Sequence, residues 1–327
     1  MDNIKSENTE YFCPENHVET KEHIYFLISV VFSILVYGMF FVMHKVDAMK
    51  SAIFFVIICI IVKSLQAIVL AQLKQNAIKV TEEQFSLIYE KVKDFSSKLN
   101  FKKLPEVYML QSGGSLNAFA TRFLFKNYIV LYSDIMELAY KEGEDAVAFV
   151  VAHELAHLHR NHILKYTLTF PSVCVPALKN AFSRACETTC DNIATALVPN
   201  NSLEGLLVLL AGKELYKKVN IREFLITADK EYNHSAWVGE IGATHPYLSR
   251  RLYNIAKRTK QEYIVSLPKD MFKVSKISCV ISCFFETIVS ILLIAFFLGL
   301  GATHSKANNT MNKHFDNTNC PYAYNEQ

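Results

Sequence analysis

The stretch His153-Glu154-Leu155-Ala156-His157 lies inside an apolar helical run, Ala146 to Leu158. Positions four apart share one face of an α-helix, so His153 and His157 can point two imidazoles at one metal ion. Glu154 follows the first histidine and can reach a water on that ion. Two histidines and a glutamate at this spacing are typical of zinc hydrolases, in which the glutamate is the general base. The alternative is a surface helix that merely carries two histidines, because short motifs also occur by chance.

The third ligand of such a site must come from elsewhere. A catalytic zinc takes three protein ligands and keeps one open position. The metzincin pattern would continue with a glycine and a third histidine, but Arg160 and Ile163 occupy those positions, so that class is excluded. His159 and His162 do not share the face of the other two histidines. A solvated or supporting role suits them better than ligation.

A downstream helical segment, Ser183 to Asp191, supplies two acids four residues apart. Glu187 can ligate zinc, and Asp191 can accept a hydrogen bond from a ligand imidazole, as ligand histidines usually require. An ordinary helix with two acids is the alternative. Cys186 and Cys190 flank the glutamate, and thiolates bind zinc well, so Cys190 stays open as a competing ligand. Two small packing residues are the simpler interpretation.

Composition indicates membrane segments. The 327 residues are 51% hydrophobic and 20% charged, which is more apolar than a soluble protein of this size usually is. The net charge is only +3, without a basic block interleaved with aromatic residues, so we expect no nucleic-acid binding. The eight cysteines are scattered and several lie in apolar runs, which argues against a disulfide-linked secreted framework.

The first part of the chain reads as a polar tail, residues 1–23, followed by a transmembrane hairpin, residues 24–73. The tail lacks the basic start of a signal peptide. Ile24 to Met43 is long enough to span a bilayer. Lys63 would be costly at mid-membrane, so the second span is expected from about Ala48 to Val62, with an amphipathic stretch from Lys63 to Lys74 at the interface. A buried core hairpin is the alternative.

Residues 78–266 are predicted to form the catalytic domain, residues 277–302 a third transmembrane helix and residues 303–327 a polar tail. Glu286 is at odds with the third span, because a carboxylate in a membrane needs a partner or a raised pKa. The apolar but proline-broken stretch Ile163 to Leu178 is predicted to be a connecting or membrane-facing loop. Lysines beside the spans favour the cytoplasmic side for the catalytic domain, in a cell-membrane protein.

Within the domain, the patterns predict an α+β fold that is mainly α, with one small sheet. Thr81 is expected to cap a helix from Glu82 to Leu99. Short strands are expected at Val107 to Leu110, Leu116 to Ala120 and Tyr128 to Tyr132.

Four separated elements resemble, in order, the HtpX-like and CAAX-prenyl-endopeptidase family of membrane zinc peptidases. They are Asn117-Ala118-Phe119-Ala120-Thr121, His153 to His157, Ser183 to Asp191, and Thr244-His245-Pro246 followed by Arg251. This resemblance covers roughly residues 80 to 255 and implies a zincin-type catalytic domain with a small sheet, joined here to about three transmembrane helices.

The resemblance also implies a role for each matched residue. His153, His157 and Glu187 would ligate one Zn²⁺ per chain, and Glu154 would activate the water. His245 would stabilise the oxyanion, although a turn histidine held by Pro246 is the simpler interpretation of that residue alone. Arg251 would support the network of Asp191 and the ligands. The edge of the substrate cleft would be formed by Asn117, Ala118, Phe119 and Ala120, along which an extended peptide can add as a strand.

Some features depart from the family pattern. Ala156 replaces the usual glycine before the second histidine, and Cys190 replaces the usual alanine before the late aspartate. Only about 30 residues separate His157 from Glu187, too few for the membrane hairpin of bacterial heat-shock members. Prenyl endopeptidases have more spans, so a general membrane or cytosolic protein is a better substrate candidate than a prenylated one.

The sequence therefore predicts an integral-membrane zinc endopeptidase that works at the lipid bilayer on membrane or misfolded polypeptides, in quality control or processing. One alternative is an inactive relative that binds membrane proteins as a scaffold, against which the intact Glu154 argues. The other is a zinc hydrolase that acts on a lipid or a small amide instead of a peptide.

Overall fold

The computed structural model describes residues 12–44, 48–111, 113, 117–143, 145–268 and 270–273, and in addition Phe284, Ile288, Ile291 and Leu292. The chain divides into two units, Met1–Val274 and Ser275–Gln327. Four positions of the predicted third span are described, and all four are helical. The rest of that span with Glu286, the tail 303–327 and residues 1–11 lie outside the described residues.

Two long helices open the described chain: α1, Thr20–His44, and α2, Ala48–Asn76. Within them, Thr20–Met39 and Val56–Asn76 are long and apolar enough to cross a membrane, with mean hydropathies of 1.7 and 2.3. None of the second stretch is buried against the described protein, as expected if lipid covers it.

The boundaries of this hairpin differ from the predicted ones. Helix α1 begins at Thr20 instead of Ile24, and Pro14–His17 form a short 3-10 helix, so part of the predicted polar tail is ordered. Helix α2 runs unbroken through Lys63, whose ammonium group donates to Gln66 Oε1 at 2.9 Å. Helix α2 therefore continues past the predicted end of the second span at Val62, and the apolar window Val56–Asn76 includes Lys63.

The described part of the domain has a four-stranded sheet: β1, Ile78–Lys79; β2, Glu106–Leu110; β3, Ala118–Phe123; and β4, Lys126–Tyr132. The spatial order is β1-β2-β4-β3. Strands β2 and β4 pair in parallel, and the outer two pairs are antiparallel. Strand β3 therefore lies at an edge of this sheet, where a further strand could pair with it.

Helices make up most of the domain, which confirms the predicted fold class. They are α3, Ser86–Lys98; α4, Ser133–Glu142; α5, Asp145–His159; α6, His162–Leu168; α7, Pro176–Leu197; α8, Ser202–Leu215; α9, Ile221–Glu231; α10, His234–Gly242; and α11, Leu248–Arg258.

Two predictions inside the domain are wrong for identifiable reasons. Helix α3 begins at Ser86 because Thr81 caps a turn instead of a helix: its hydroxyl and amide both bond the backbone of Gln84, at 3.1 and 2.8 Å. The predicted loop Ile163 to Leu178 contains helix α6, a 3-10 helix at Phe170–Cys174 and the start of α7. Its prolines begin helices, where a missing N–H has no cost.

Helix α5 lies at the centre of the core, packed against α7, α8 and strand β3. Val151 and Leu155 of α5 are fully buried, as are Ile193 and Ala194 of α7. Burying a side chain of the size of valine, leucine or isoleucine contributes about 1.5–3 kcal/mol. Apolar packing thus holds α5 and α7 in one fixed relation before any metal is considered.

Candidate metal centre and substrate cleft

Helix α5 presents two histidines on one face. Asp145 stands in its first turn, where a negative charge interacts favourably with the helix dipole. Leu155 and Ala156 are completely buried, so the helix cannot rotate about its axis without exposing core surface. His153 and His157 are one turn apart, and their Nε2 atoms approach to 3.2 Å.

Helix α7 places Glu187 against both histidines. Glu187 Oε2 lies 3.2 Å from His153 Nε2, and Glu187 Oε1 lies 3.3 Å from His157 Nε2. Zinc binds nitrogen and oxygen ligands at about 2.0–2.1 Å, and tetrahedral geometry then separates neighbouring ligand atoms by about 3.3 Å. The two Nε2 atoms and the Glu187 oxygens therefore lie at separations that fit ligands of one zinc ion.

The charges around this site also suit a cation. Burial would raise the pKa of Glu187, but His157 and His153 hold it well below its usual range, so the carboxylate is charged. Burial would lower the pKa of His153, but Asp191 and Glu187 raise it to about 10. Two buried carboxylates thus attract positive charge to this position, and a metal ion can replace the proton that His153 would otherwise hold.

Asp191 and Arg251 hold the first ligand in place from behind. Asp191 Oδ1 lies 3.0 Å from His153 Nδ1, one helical turn beyond Glu187 on α7. The Arg251 guanidinium donates to both oxygens of Asp191, at 2.7 and 2.8 Å. All three side chains are buried. A carboxylate on Nδ1 leaves Nε2 free to face a metal, as ligand histidines in zinc sites require.

His245 reaches the site from the segment between α10 and α11. Its Nε2 lies 3.3 Å from Glu187 Oε1, while 61% of its side chain is exposed. Thr244 Oγ1 lies 2.9 Å from His245 Nδ1 and directs Nε2 toward the site. The segment is fastened to α7 by Arg184, whose guanidinium donates to the carbonyl oxygens of Glu240, Ile241 and Ala243 at 2.7–2.8 Å.

A cavity of about 390 Å³ lies over the histidines and Glu187. Glu154 lines it, close to the ligand positions in sequence and in space. The start of strand β3 forms one side of the cavity, with Asn117, Ala118, Phe119 and Ala120. All of the residues predicted for ligation, catalysis and the cleft edge, apart from the supporting Asp191, therefore line one space next to a sheet edge.

The cysteines of α7 belong to different clusters. Cys190 groups with His157 and His162, and Cys186 groups with Glu22 and His162. Neither thiol lines the cavity. Burial raises the pKa of both thiols, and for Cys190 well above the usual range, so they stay protonated, whereas zinc binds the thiolate. Among the clusters of possible metal ligands in the described residues, the cluster of His153, His157 and Glu187 is thus the one that has a charged carboxylate and whose side chains all line the cavity.

Of two further residues near the ligand positions, His162 was predicted to be solvated or supporting, and Glu22 was not singled out by the sequence interpretation. His162 is fully buried, and its Nδ1 lies 3.0 Å from Nδ1 of His157. Burial outweighs the nearby Glu22 and lowers the pKa of His162 to about 4, so the ring is neutral. Glu22 is fully buried at the start of α1, and one of its oxygens lies 3.3 Å from His162 Nε2. Its position, an acid just before an apolar run, was the available sequence signal.

Comparisons with known proteins agree with this geometry. Residues 82–174 match the model for peptidase family M48, and residues 136–264 match the model for peptidase U49. The crystal structure of Ste24p from S. mikatae is similar at 16% identity and a TM-score of 0.42, over 73% of this chain and 67% of that one. No curated protein matches the chain. The predicted resemblance to this peptidase family is therefore confirmed for residues 82–174, the segment that contains His153, Glu154 and His157.

Proposed function

We propose that the protein is a zinc-dependent endopeptidase, with one zinc ion held by His153, His157 and Glu187. The observation that carries this proposal is the spacing of 3.2–3.3 Å between the three side chains, within a cavity beside a sheet edge. A zinc ion in such a site acts as a Lewis acid, which polarises a carbonyl and makes water usable as a nucleophile near neutral pH.

The protein's own side chains then carry out the proton transfers. The Glu154 carboxylate accepts a proton from the attacking water and delivers it to the leaving amine. His245 donates a hydrogen bond from Nε2 to the carbonyl oxygen as charge develops there, and Thr244 holds the ring by its Nδ1. Arg251 and Asp191 keep His153 in the orientation that ligation needs.

The substrate is bound as an extended strand. Strand β3 leaves one edge free in the described sheet, and its first residues line the cavity. A peptide that pairs with this edge satisfies its own backbone hydrogen bonds without regard to sequence, and it passes over the ligand positions. An unfolded segment can do this, whereas a folded domain cannot.

The setting favours substrates at a membrane. Helices α1 and α2 are continuous with the domain that holds the site. The lysines that flank the spans support a cytoplasmic position for the catalytic domain in the cell membrane. We therefore infer a role in quality control or processing of membrane proteins and misfolded polypeptides.

The decisive variant is Glu154→Gln in the full-length protein in detergent micelles. It should bind one zinc per chain, as the wild type does, while cleavage of a denatured protein such as casein falls by at least about 100-fold. Glu90→Gln, on the exposed face of α3, is the matched control and should cleave normally. Zinc-free wild-type protein, or unchanged cleavage by the Glu154 variant, would overturn the proposal.

A further inference from the structure

The second ligand histidine is connected to the first candidate membrane helix. His157 Nδ1 faces His162 Nδ1 at 3.0 Å, and His162 Nε2 faces Glu22 Oε1 at 3.3 Å. Glu22 belongs to α1, more than 130 residues before the histidines in sequence. The same glutamate oxygen contacts Lys165 and, at 3.1 Å, Arg160. A continuous line of polar contacts thus leads from the candidate zinc site into α1.

The chemistry of imidazole determines which atom donates and which accepts at each contact between His157, His162 and Glu22. If His157 binds zinc through Nε2, its Nδ1 must carry a hydrogen and act as a donor. The His162 nitrogen that faces it must then be an acceptor, which places the His162 hydrogen on Nε2. The nearest carboxylate oxygen to that nitrogen, Glu22 Oε1, lies 3.3 Å away, and a carboxylate is an acceptor only. Each donor in the line thus has an acceptor atom within 3.3 Å.

We propose that Glu22 is a positioning residue of the zinc site: by accepting from His162 it fixes the tautomer of that ring, and His162 in turn holds His157 Nε2 toward the metal. This inference rests on the proposed zinc site. It makes an ordered α1 part of the catalytic centre, so that the site is complete only when the membrane helix is docked on the domain.

The surroundings of Glu22 support this role. A fully buried carboxylate is costly unless partners balance its charge. Here Lys165 and Arg160 balance its charge, and its side chain is fully buried. Next to it, the amide of Glu19 donates to Thr189 Oγ1 at 3.1 Å, which docks the start of α1 onto α7 two residues from Glu187.

A second metal ion does not explain the cluster. Glu22, His162 and Cys186 lie close enough together to hold an ion. The Lys165 ammonium group, however, already contacts the same carboxylate oxygen and supplies the positive charge there. The thiol of Cys186 is kept protonated by burial, so the cluster offers no anionic sulfur.

The test compares two carboxylates that both touch Arg160. Glu15 accepts from Arg160 at 2.8 and 2.9 Å but has no contact with His162, and Glu22 has both contacts. In full-length protein in detergent micelles, zinc affinity is measured by competition with a chelator. We expect Glu22→Gln to weaken zinc binding about tenfold, the loss typical of outer partners of metal ligands, and Glu15→Gln to leave it unchanged. Unchanged affinity in the Glu22 variant overturns the inference.

A double-mutant cycle separates positioning from simple anchoring of the helix. His162→Phe keeps a ring in place but removes both nitrogens. If Glu22 acts through His162, adding Glu22→Gln to this variant causes no further loss of zinc affinity. If the double variant instead loses zinc affinity by the product of the two single losses, Glu22 only anchors α1, and the inference is overturned.

Folding and zinc binding can be told apart. Thermal unfolding of the zinc-free proteins shows whether each variant is folded. If Glu22→Gln is not, Glu22→Asp keeps a negative charge that the long side chains of Lys165 and Arg160 can follow, while the carboxylate retreats from the His162 ring, and the same loss of affinity is expected. Failure of the wild type to bind zinc would count against the proposed function itself, whereas a zinc-binding wild type with a tightly binding Glu22 variant counts against the positioning role alone.

Discussion

The two histidines proposed as ligands, His153 and His157, lie one turn apart on α5, yet they are supported from opposite parts of the molecule. His153 is held by Asp191 on α7 and Arg251 on α11, a direct carboxylate contact within the catalytic domain. His157 is held by a second histidine, His162, and only through it by Glu22 of α1. One support belongs to the folded domain, and the other exists only when a membrane-type helix is docked.

The two supports also differ in how their charge is balanced. Among the described residues, Arg251 is the one arginine or lysine paired with Asp191, and it donates to both carboxylate oxygens. Glu22 has two cations on one oxygen, Lys165 and Arg160. One cationic side chain, Arg251, therefore balances most of the charge of Asp191. Two cationic side chains balance the charge of Glu22, so one remains when the other is removed. This difference predicts unequal responses to the removal of a cation.

The largest effect is expected from Arg251→Met. It leaves the buried Asp191 carboxylate without its guanidinium partner and with only the His153 ring beside it, and breaking a buried pair in this way typically costs about 3–5 kcal/mol. Thermal unfolding in detergent should show a lower midpoint, with weaker zinc binding in addition. Arg258→Met, exposed in the last turn of the same helix, is the control and should unfold like the wild type. An unchanged unfolding midpoint and zinc affinity in the Arg251 variant would contradict the role of Arg251 and Asp191 in holding His153.

A smaller effect is expected from Lys165→Met. Arg160 remains 3.1 Å from the same Glu22 oxygen, so the carboxylate keeps one cation. The loss should therefore be closer to that of one charged hydrogen bond, about 1.5–3 kcal/mol. The exposed Lys93 provides the control variant Lys93→Met, with no expected change. A destabilisation as large as that of Arg251→Met would contradict the idea that Arg160 alone can balance the charge of Glu22.

The smallest effect is expected at the exposed contact between Thr244 and His245. Thr244→Val removes the hydroxyl that holds Nδ1 of His245. Since one neutral hydrogen bond contributes about 0.5–1.5 kcal/mol, kcat should fall about two- to tenfold, with zinc content and unfolding midpoint unchanged. Thr244→Ser keeps the hydroxyl and should restore the rate. A loss of zinc in the valine variant would show that His245 belongs with the buried ligands instead.

Much of the site could be predicted from local spacing. His153 and His157 share a helix face because they are four residues apart, and the same holds for Glu187 and Asp191. The start of α3 was missed because Thr81 can cap a turn as well as a helix, and the two are indistinguishable from residue type alone. The 163–178 stretch was missed because a proline that begins a helix and one that breaks it look alike in sequence.

The sequence by itself determined which side chains could act as ligands, general base and partner carboxylate. These depend on helix periodicity, which is a property of the backbone over a few residues. Only the tertiary structure decided that Glu22 of α1 lies behind His157 through His162, and that Arg184 holds the segment of His245. The contacts of Glu22 and Arg184 join residues about 60 to 140 positions apart. The packing of buried helices over the whole chain creates them, and no local pattern records it.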